Sequence, residues 1–553
     1  MDQTAIIGRC ARWVLLSALV VGAANVSATE APARGGSYAD LLTLFSDWRA
    51  FERPPLRDGA PDYTAGTIAR KQVELKNYQA RLAALDSSRW PVEQQVDYRL
   101  VWAEMNGLDF EIRVLQPWAR DPAFYNSVRM EQSDTPAHEG PTHHALVEIW
   151  TYSFPLNAGA ETKLTAELRT VAPLLTQARL NLTGNAHDLW VAGAGTMRQQ
   201  AADLTGLAVK TTKANPELKR AVAAALRATT EFADWLDAQA PSKTGPSGVG
   251  KENYTWSLRN VHLVPLSWEE EVSILKRELA RAHASLKLEE QHNIGLPPLA
   301  VISSPEEYQR RANEAVTKYM AFLKDRDILT VKDYMDPAMR AHIGEYSPIE
   351  TRNFFAIASH NEPLSLFTHF YHWFDNARIA LEPHLSPIRR AALLYNIWDS
   401  RAEGMATAVE ELMMHAGLYD DNPRAREVMW IMLAQRCARG LASLHAQANE
   451  FDMREAKDFQ VQWTPRGWMR PDLDLLGFEQ QLYLRQPGYG TSYVTGKYLI
   501  DELIMDRARQ LGGKFTLRGF LDEFNAAGVI PVSMIRWQLT GNDDEVRALT
   551  RAQ

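Results

Sequence analysis

The sequence predicts a mostly α protein, and two observations carry that expectation. Apolar residues recur at steps of three and four through nearly every segment after residue 40, while alternating period-two runs are scarce. Composition agrees with a globular chain. Of 553 residues, 46% are hydrophobic and 23% charged, and 16 tryptophans are available to fill a large core. The formal net charge of -8 argues against a nucleic-acid partner, because phosphate neutralisation calls for a basic excess.

Taken in order from the N-terminus, residues 1–28 are expected to be a signal peptide. Arg9 and Arg12 precede an apolar run over 13–24, and Val26 and Ala28 place small residues before a cleavage point at Thr29. The run is shorter than the ~20 apolar residues a membrane span needs. The expected location is therefore periplasmic or secreted, with no stable membrane insertion once the signal is removed. Cys10 falls in this segment, which leaves Cys437 as the only cysteine of the mature chain and no internal disulfide.

Residues 29–240 read as an N-terminal helical region. Within it, Asn215 followed by Pro216 is a helix start, and Leu218, Val222, Ala225, Phe232 and Leu236 trace the apolar face behind it. The polar, proline-bearing stretch 133–142 reads as a surface loop. Residues 241–251, rich in Pro, Gly and Ser, read as a linker to a C-terminal helical region, 252–553, that carries the candidate site. There Ser267 and Glu270 form a capping box, and 424–450 repeats the helical spacing through Val428, Ile431, Gln435, Ala438, Leu441 and Leu444.

Two motif look-alikes lack the surroundings their chemistry needs. The linker run Gly245-Pro-Ser-Gly-Val-Gly250-Lys251 imitates a phosphate-binding loop, but Glu252 stands where a hydroxyl should reach magnesium and no buried strand precedes it. No nucleotide partner is expected. In His138-Glu139-Gly-Pro-Thr142-His143-His144, the position four after the first histidine is Thr142, and Gly140-Pro141 would break the helix that aligns two zinc ligands. A solvated loop is the expectation, with a loop-borne metal site as the alternative.

A third region, 354–411, carries His360, His369, His372, His384, Glu403 and Glu410. His369 and His372 lie three apart, with Asp375 extending the same helical face, and Glu403 and Glu410 share a face of a later helix. Two imidazoles and two carboxylates from packed helices suit metal binding or general acid–base work. The competing expectation is a set of core polar residues bonded to each other and to Arg389, Arg390 and Arg401.

Several ordered motifs then carry a resemblance. Glu403-Gly-Met-Ala-Thr-Ala-Val-Glu410, Gly417-Leu-Tyr-Asp-Asp421, Pro487-Gly-Tyr-Gly-Thr-Ser-Tyr-Val-Thr-Gly-Lys497 and Gly528-Val-Ile-Pro531 resemble the bacterial domain of unknown function 885 family. That family is similar to helical zinc metallopeptidases, so the resemblance implies a large multi-helix metallopeptidase-like array with a central cleft, and zinc as the cofactor. It implies a metal-binding role for Glu403, a catalytic role for Glu410 as the last glutamate of its motif, and a transition-state hydrogen bond from Tyr493. With His372 on the family's second histidine, and His369 from the spacing above, the metal set is His369, His372 and Glu403. The active site is divergent. Leu366 and Phe367 stand where the family has His-Glu, Ala408 replaces the motif tyrosine, and Leu521 replaces a later histidine.

The expectation is thus an exported, metallopeptidase-like hydrolase acting on peptides or other amide or ester substrates. The alternative is a non-catalytic protein that binds a small-molecule or peptide ligand and has lost the family's metal site. The site is expected between the His369–His372 helix and the Glu403–Glu410 helix, with Trp463, Arg466 and Trp468 lining a substrate cleft.

Overall fold

The computed structural model describes residues 35–551, so the expected signal peptide lies outside the described residues. The chain is mostly α, as the periodicity predicts. Among the described residues, β structure is limited to an antiparallel pair, Leu56–Arg57 with Ala60–Pro61, and a parallel pair, Val128–Arg129 with Val147–Glu148. No described helix is long and apolar enough to cross a membrane.

The helix starts follow the local chemistry read from the sequence. Asn215 accepts from the Leu218 N–H at 2.9 Å ahead of the helix Pro216–Gln239. Ser267 and Glu270 close both arms of the capping box ahead of Trp268–His292. Behind these caps, Trp268–His292 packs along Arg424–Gln447, and Asp399–His415 packs along Tyr489–Leu511. Arg424–Gln447 is buried over almost its whole length, including Cys437. Burial on every side, Arg436 and Arg439 included, places this helix inside the core, where Trp268–His292, Met453–Trp463, Leu475–Arg485 and Tyr489–Leu511 pack against it.

Residues 241–251 do not hang free between two halves. Gly250 N donates to the Gln447 carbonyl at 2.8 Å and Gly248 N to Asn449 Oδ1 at 2.9 Å. The last carbonyls of a helix have no partner inside it, and this segment supplies donors to the end of Arg424–Gln447. Lys251 pairs with Glu450 at 2.5 Å and lies over the Trp268 ring. Buried ion pairs tie the N-terminal region to the C-terminal one: Asp97 with Arg389 at 2.6 Å, and Asp121 with Arg485 at 2.6 Å.

Candidate functional site

Two close backbone approaches set up the site. Gly404 and Gly496 face each other where Asp399–His415 crosses Tyr489–Leu511, and a Cβ on Gly404 would stand 2.5 Å from Gly496 Cα. That crossing brings Glu403 of the first helix beside Tyr489 and Tyr493 of the second. Tyr489 itself is placed by Gly488, which opens its helix at φ +95°, a conformation that suits glycine.

The structure brings His369, His372 and Glu403 together. One ligand atom from each lies within 4.8 Å of the other two, and all three residues are buried. His372 Nε2 is 3.1 Å from Glu403 Oε2, and the two imidazole rings meet edge-on at 5.0 Å. The histidines do not share one helix as their spacing suggested. His369 sits in the turn between Pro363–Phe367 and Tyr371–Leu381, because Phe370 departs from helical geometry at ψ 12°. Nor do the helices leave an open cleft here, for His372 and Glu403 are each only 2% exposed. A cavity of about 1110 Å³ lies elsewhere, against Tyr38, Asp97, Arg378, Arg389 and Asn525.

Among the described residues, Glu403 forms no ion pair with an arginine. Its second oxygen accepts from the Tyr489 hydroxyl. Arg401 pairs instead with Asp375 at 2.8 Å, and Arg390 donates to the backbone carbonyls of His384 and Leu385. Glu410 is held by Arg436, which donates to both carboxylate oxygens at 2.9 and 2.6 Å. The same arginine lies 3.1 Å from His369 Nδ1, and Glu410 Oε1 lies 3.0 Å from that nitrogen. In the tautomer whose Nδ1–H donates to Glu410, Nε2 is the nitrogen of His369 that keeps a lone pair for a ligand. Tyr493 faces the same group: its ring lies nearly parallel to that of His369, and Arg439 sits 3.8 Å over its face.

Electrostatics separate the two histidines. Burial and the neighbouring Arg436 hold His369 well below its ordinary pKa, so it stays neutral with a lone pair to offer. Burial alone would lower His372 and raise Glu403. The ion pair between them wins, lifting His372 to about 9 and holding Glu403 down to about 2. Burial pushes Glu410 up to about 7 against the pull of Arg436 and Arg439. The Tyr493 hydroxyl is raised well above its ordinary value by burial and by the Glu403 charge, so it remains a donor.

Other expectations do not join this cluster. His360 is engaged by backbone groups of Ser347 and Ala356, and His384 by the backbone of Ser386. Trp463 meets His283 edge-on, Trp468 lies tilted against Phe354, and Arg466 pairs with Glu290 and Glu427. The histidines of 138–144 diverge: His138 meets Glu148, His144 meets Glu52, and His143 packs on Tyr63 and Phe124.

The stretch 133–142 is not a free surface loop. Asn376 Nδ2 donates to the Asp134 carbonyl at 2.8 Å, and Tyr489 Oη stands 3.3 Å from Glu139 Oε1. Burial raises the pKa of both acids, with the Glu403 charge adding to the effect.

The site residues fit a divalent cation. Two imidazoles and one carboxylate are a known donor set for catalytic zinc, one histidine is kept neutral, and the carboxylate is kept charged. Two of the three candidate ligands also have orienting partners outside the set: Glu410 and Arg436 on His369, Tyr489 on Glu403.

Comparison with known proteins gives a family and a fold. The family model described as "Bacterial protein of unknown function (DUF885)" matches residues 50–346 and 372–539. The unmatched stretch between holds Leu366, Phe367 and His369. A "putative lipoprotein of unknown function" from Shewanella oneidensis shares the fold at TM-score 0.62 and 14% identity, over 91% of this chain and 99% of that one. A "putative lipoprotein" from Colwellia psychrerythraea does so at TM-score 0.63 and 13% identity, over 93% and 98%. No curated protein matches the chain. The family match spans most of the sequence, and the chain belongs to the DUF885 family of bacterial proteins of unknown function.

Proposed function

We propose that this protein is an exported, metal-dependent hydrolase in which His369, His372 and Glu403 hold a divalent cation, zinc by the chemistry of the donor set. Its substrates would be peptides or related amides and esters. The observation that carries the reading is the convergence of those three ligand atoms within 4.8 Å in a buried setting. When bound, such a cation polarises a carbonyl and lowers the pKa of water. The chain's own residues do the rest. Glu410 and Arg436 orient the His369 ring, which makes Glu410 a positioning residue. Tyr489 fixes Glu403, and the protonated Tyr493 hydroxyl is the donor for a developing oxyanion. Export is supported by the Arg-flanked apolar run at the N-terminus and by the lipoprotein descriptions of the two structural neighbours.

A second reading, a ligand- or peptide-binding protein without catalysis, is favoured by one observation. Leu366 and Phe367, standing where the family has His-Glu, are core residues at 7% and 0% exposure. Metal analysis of the purified protein and of Glu403→Gln separates the readings, alongside hydrolysis of a panel of peptide and ester substrates. Stoichiometric zinc and turnover in the wild type, both lost in Glu403→Gln, support the hydrolase. Absence of metal and turnover from both proteins leaves the binding protein.

A further inference from the structure

Residues 130–146 run between the strands Val128–Arg129 and Val147–Glu148, whose parallel pairing pins the two ends of the segment side by side. This is the layout of an Ω-type loop, a compact excursion with neighbouring ends. Its far end is held by Glu111, which accepts from Thr142 N at 3.0 Å, and by Tyr63, whose hydroxyl accepts from His144 N at 3.0 Å. Its middle lies against the helix Tyr371–Leu381 through Asn376. Within it, Ser133 Oγ donates to Glu139 Oε2 at 3.1 Å, which turns the other oxygen of Glu139 toward Tyr489.

The Tyr489 hydroxyl therefore faces two carboxylates, Glu403 and Glu139, with a single proton to give. Asp134 brings a third carboxylate on the same segment, where its backbone carbonyl accepts from Asn376, one helical turn beyond His372. The bases of the cluster are His372 and, 5.0 Å from it ring to ring, His369. A site with three acids, two imidazoles and one hydroxyl carries an excess of acceptors that a cation would satisfy.

We propose that residues 130–146 close over a divalent cation held by His369, His372 and Glu403, with Asp134 and Glu139 as its outer carboxylates, so that cation binding and closure of the segment are coupled. This rests on the metal reading of the site given above. The linkage is reciprocal: a cation that favours the closed segment is itself bound more tightly when the segment is closed. Outer carboxylates of this kind commonly account for ~10–100-fold in metal affinity.

The test is calorimetric titration with zinc ion alone on the wild type, the double variant Asp134→Asn/Glu139→Gln, and Glu403→Gln. Hydrogen exchange across 130–146 is read with and without zinc. Zinc binding to the wild type should slow that exchange. The double variant should lose ~10–100-fold in affinity while its zinc-free thermal stability is unchanged or raised, since amides keep the hydrogen bonds and remove the repulsion. Should the double variant fail to fold, Glu139→Gln alone carries the measurement. Wild-type affinity in the carboxamide variant, or exchange indifferent to zinc, overturns the coupling and leaves the metal reading standing. No zinc binding by the wild type, or unchanged binding in Glu403→Gln, overturns the metal reading and the coupling with it.

Discussion

Gly404 and Gly496 approach so closely that neither position has room for a side chain: a Cβ on Gly404 meets Gly496 Cα at 2.5 Å, and one on Gly496 meets the Ser400 carbonyl oxygen. The crossing sets the distance between Glu403 and the two tyrosines. Gly404→Ala or Gly496→Ala must push the helices apart, and overpacking of this kind costs ~1–3 kcal/mol or more. Thermal unfolding should show the loss, and the metal affinity of the site should fall with it. An alanine variant as stable as the wild type would contradict the tight crossing.

A different loss is expected at Glu410. Arg436 is fully buried and donates to both Glu410 oxygens, so Glu410→Gln strands a guanidinium that cannot shed its charge. Breaking a buried pair from one side costs ~3–5 kcal/mol, whereas replacing both partners with apolar residues is often neutral. Glu410→Gln should therefore unfold at clearly lower temperature or denaturant concentration. Glu410→Leu/Arg436→Met should recover much of that loss. Equal destabilisation of the single and double variants would argue against the pair.

The contrast with Glu403 makes a third expectation. Its partner is His372, which is protonated because Glu403 is charged and can release that proton once the charge is gone. Glu403→Gln leaves no fixed buried cation, so its cost should be that of a weakened hydrogen bond, ~1–3 kcal/mol, below that of Glu410→Gln. Metal binding should be abolished all the same. Chemical denaturation of both glutamine variants ranks the two costs, and the reverse order would place the critical ion pair at Glu403.

How much of this was legible in the sequence differs element by element. Caps such as Asn215 and Ser267 act within one helical turn, and the structure bears both out. His369, His372 and Glu403 could be named because their spacings and the Glu403 motif are local patterns, though the turn at Phe370 was not visible in the periodicity. Tyr489 was within reach, since it stands one turn before Tyr493 on the same helical face. Arg436 and Arg439 left a weaker trace, as charges inside an otherwise apolar helix. Asp134 left none, and Glu139 was visible only as a neighbour of the histidines of 138–144. Their place depends on a segment more than two hundred residues from Tyr371–Leu381, and a run of Ser, Thr, Pro and Gly reads as a solvated loop whatever it covers. The linker reading of 241–251 met the same limit, because its amides are satisfied by Gln447 and Asn449.

Glu111 anchors one end of the 130–146 segment and makes the last prediction, a pH dependence of stability. Its carboxyl is buried and accepts from Thr142 N. Burial pushes its pKa up from 4.5 to about 8, with Glu52 adding to the effect and the Thr142 bond and Lys71 opposing it. In the unfolded chain the group loses its proton near 4.5, while the folded protein keeps it until about pH 8. Between those values the unfolded state binds fewer protons, so rising pH favours unfolding. The contribution of Glu111 is thus fully present below pH 4.5, declines through the window, and is gone above about pH 8. At ~1.4 kcal/mol per pKa unit, the loss amounts to ~3–5 kcal/mol. Glu111→Gln mimics the protonated acid and still accepts from Thr142. It should match the wild type near pH 4.5 and exceed it by a few kcal/mol at pH 8 to 9, with faster hydrogen exchange at Thr142 in the wild type at the higher pH. Denaturant unfolding at several pH values on both proteins measures the difference. Parallel stability curves across that range would show that Glu111 ionises in the folded protein as it does in the unfolded chain.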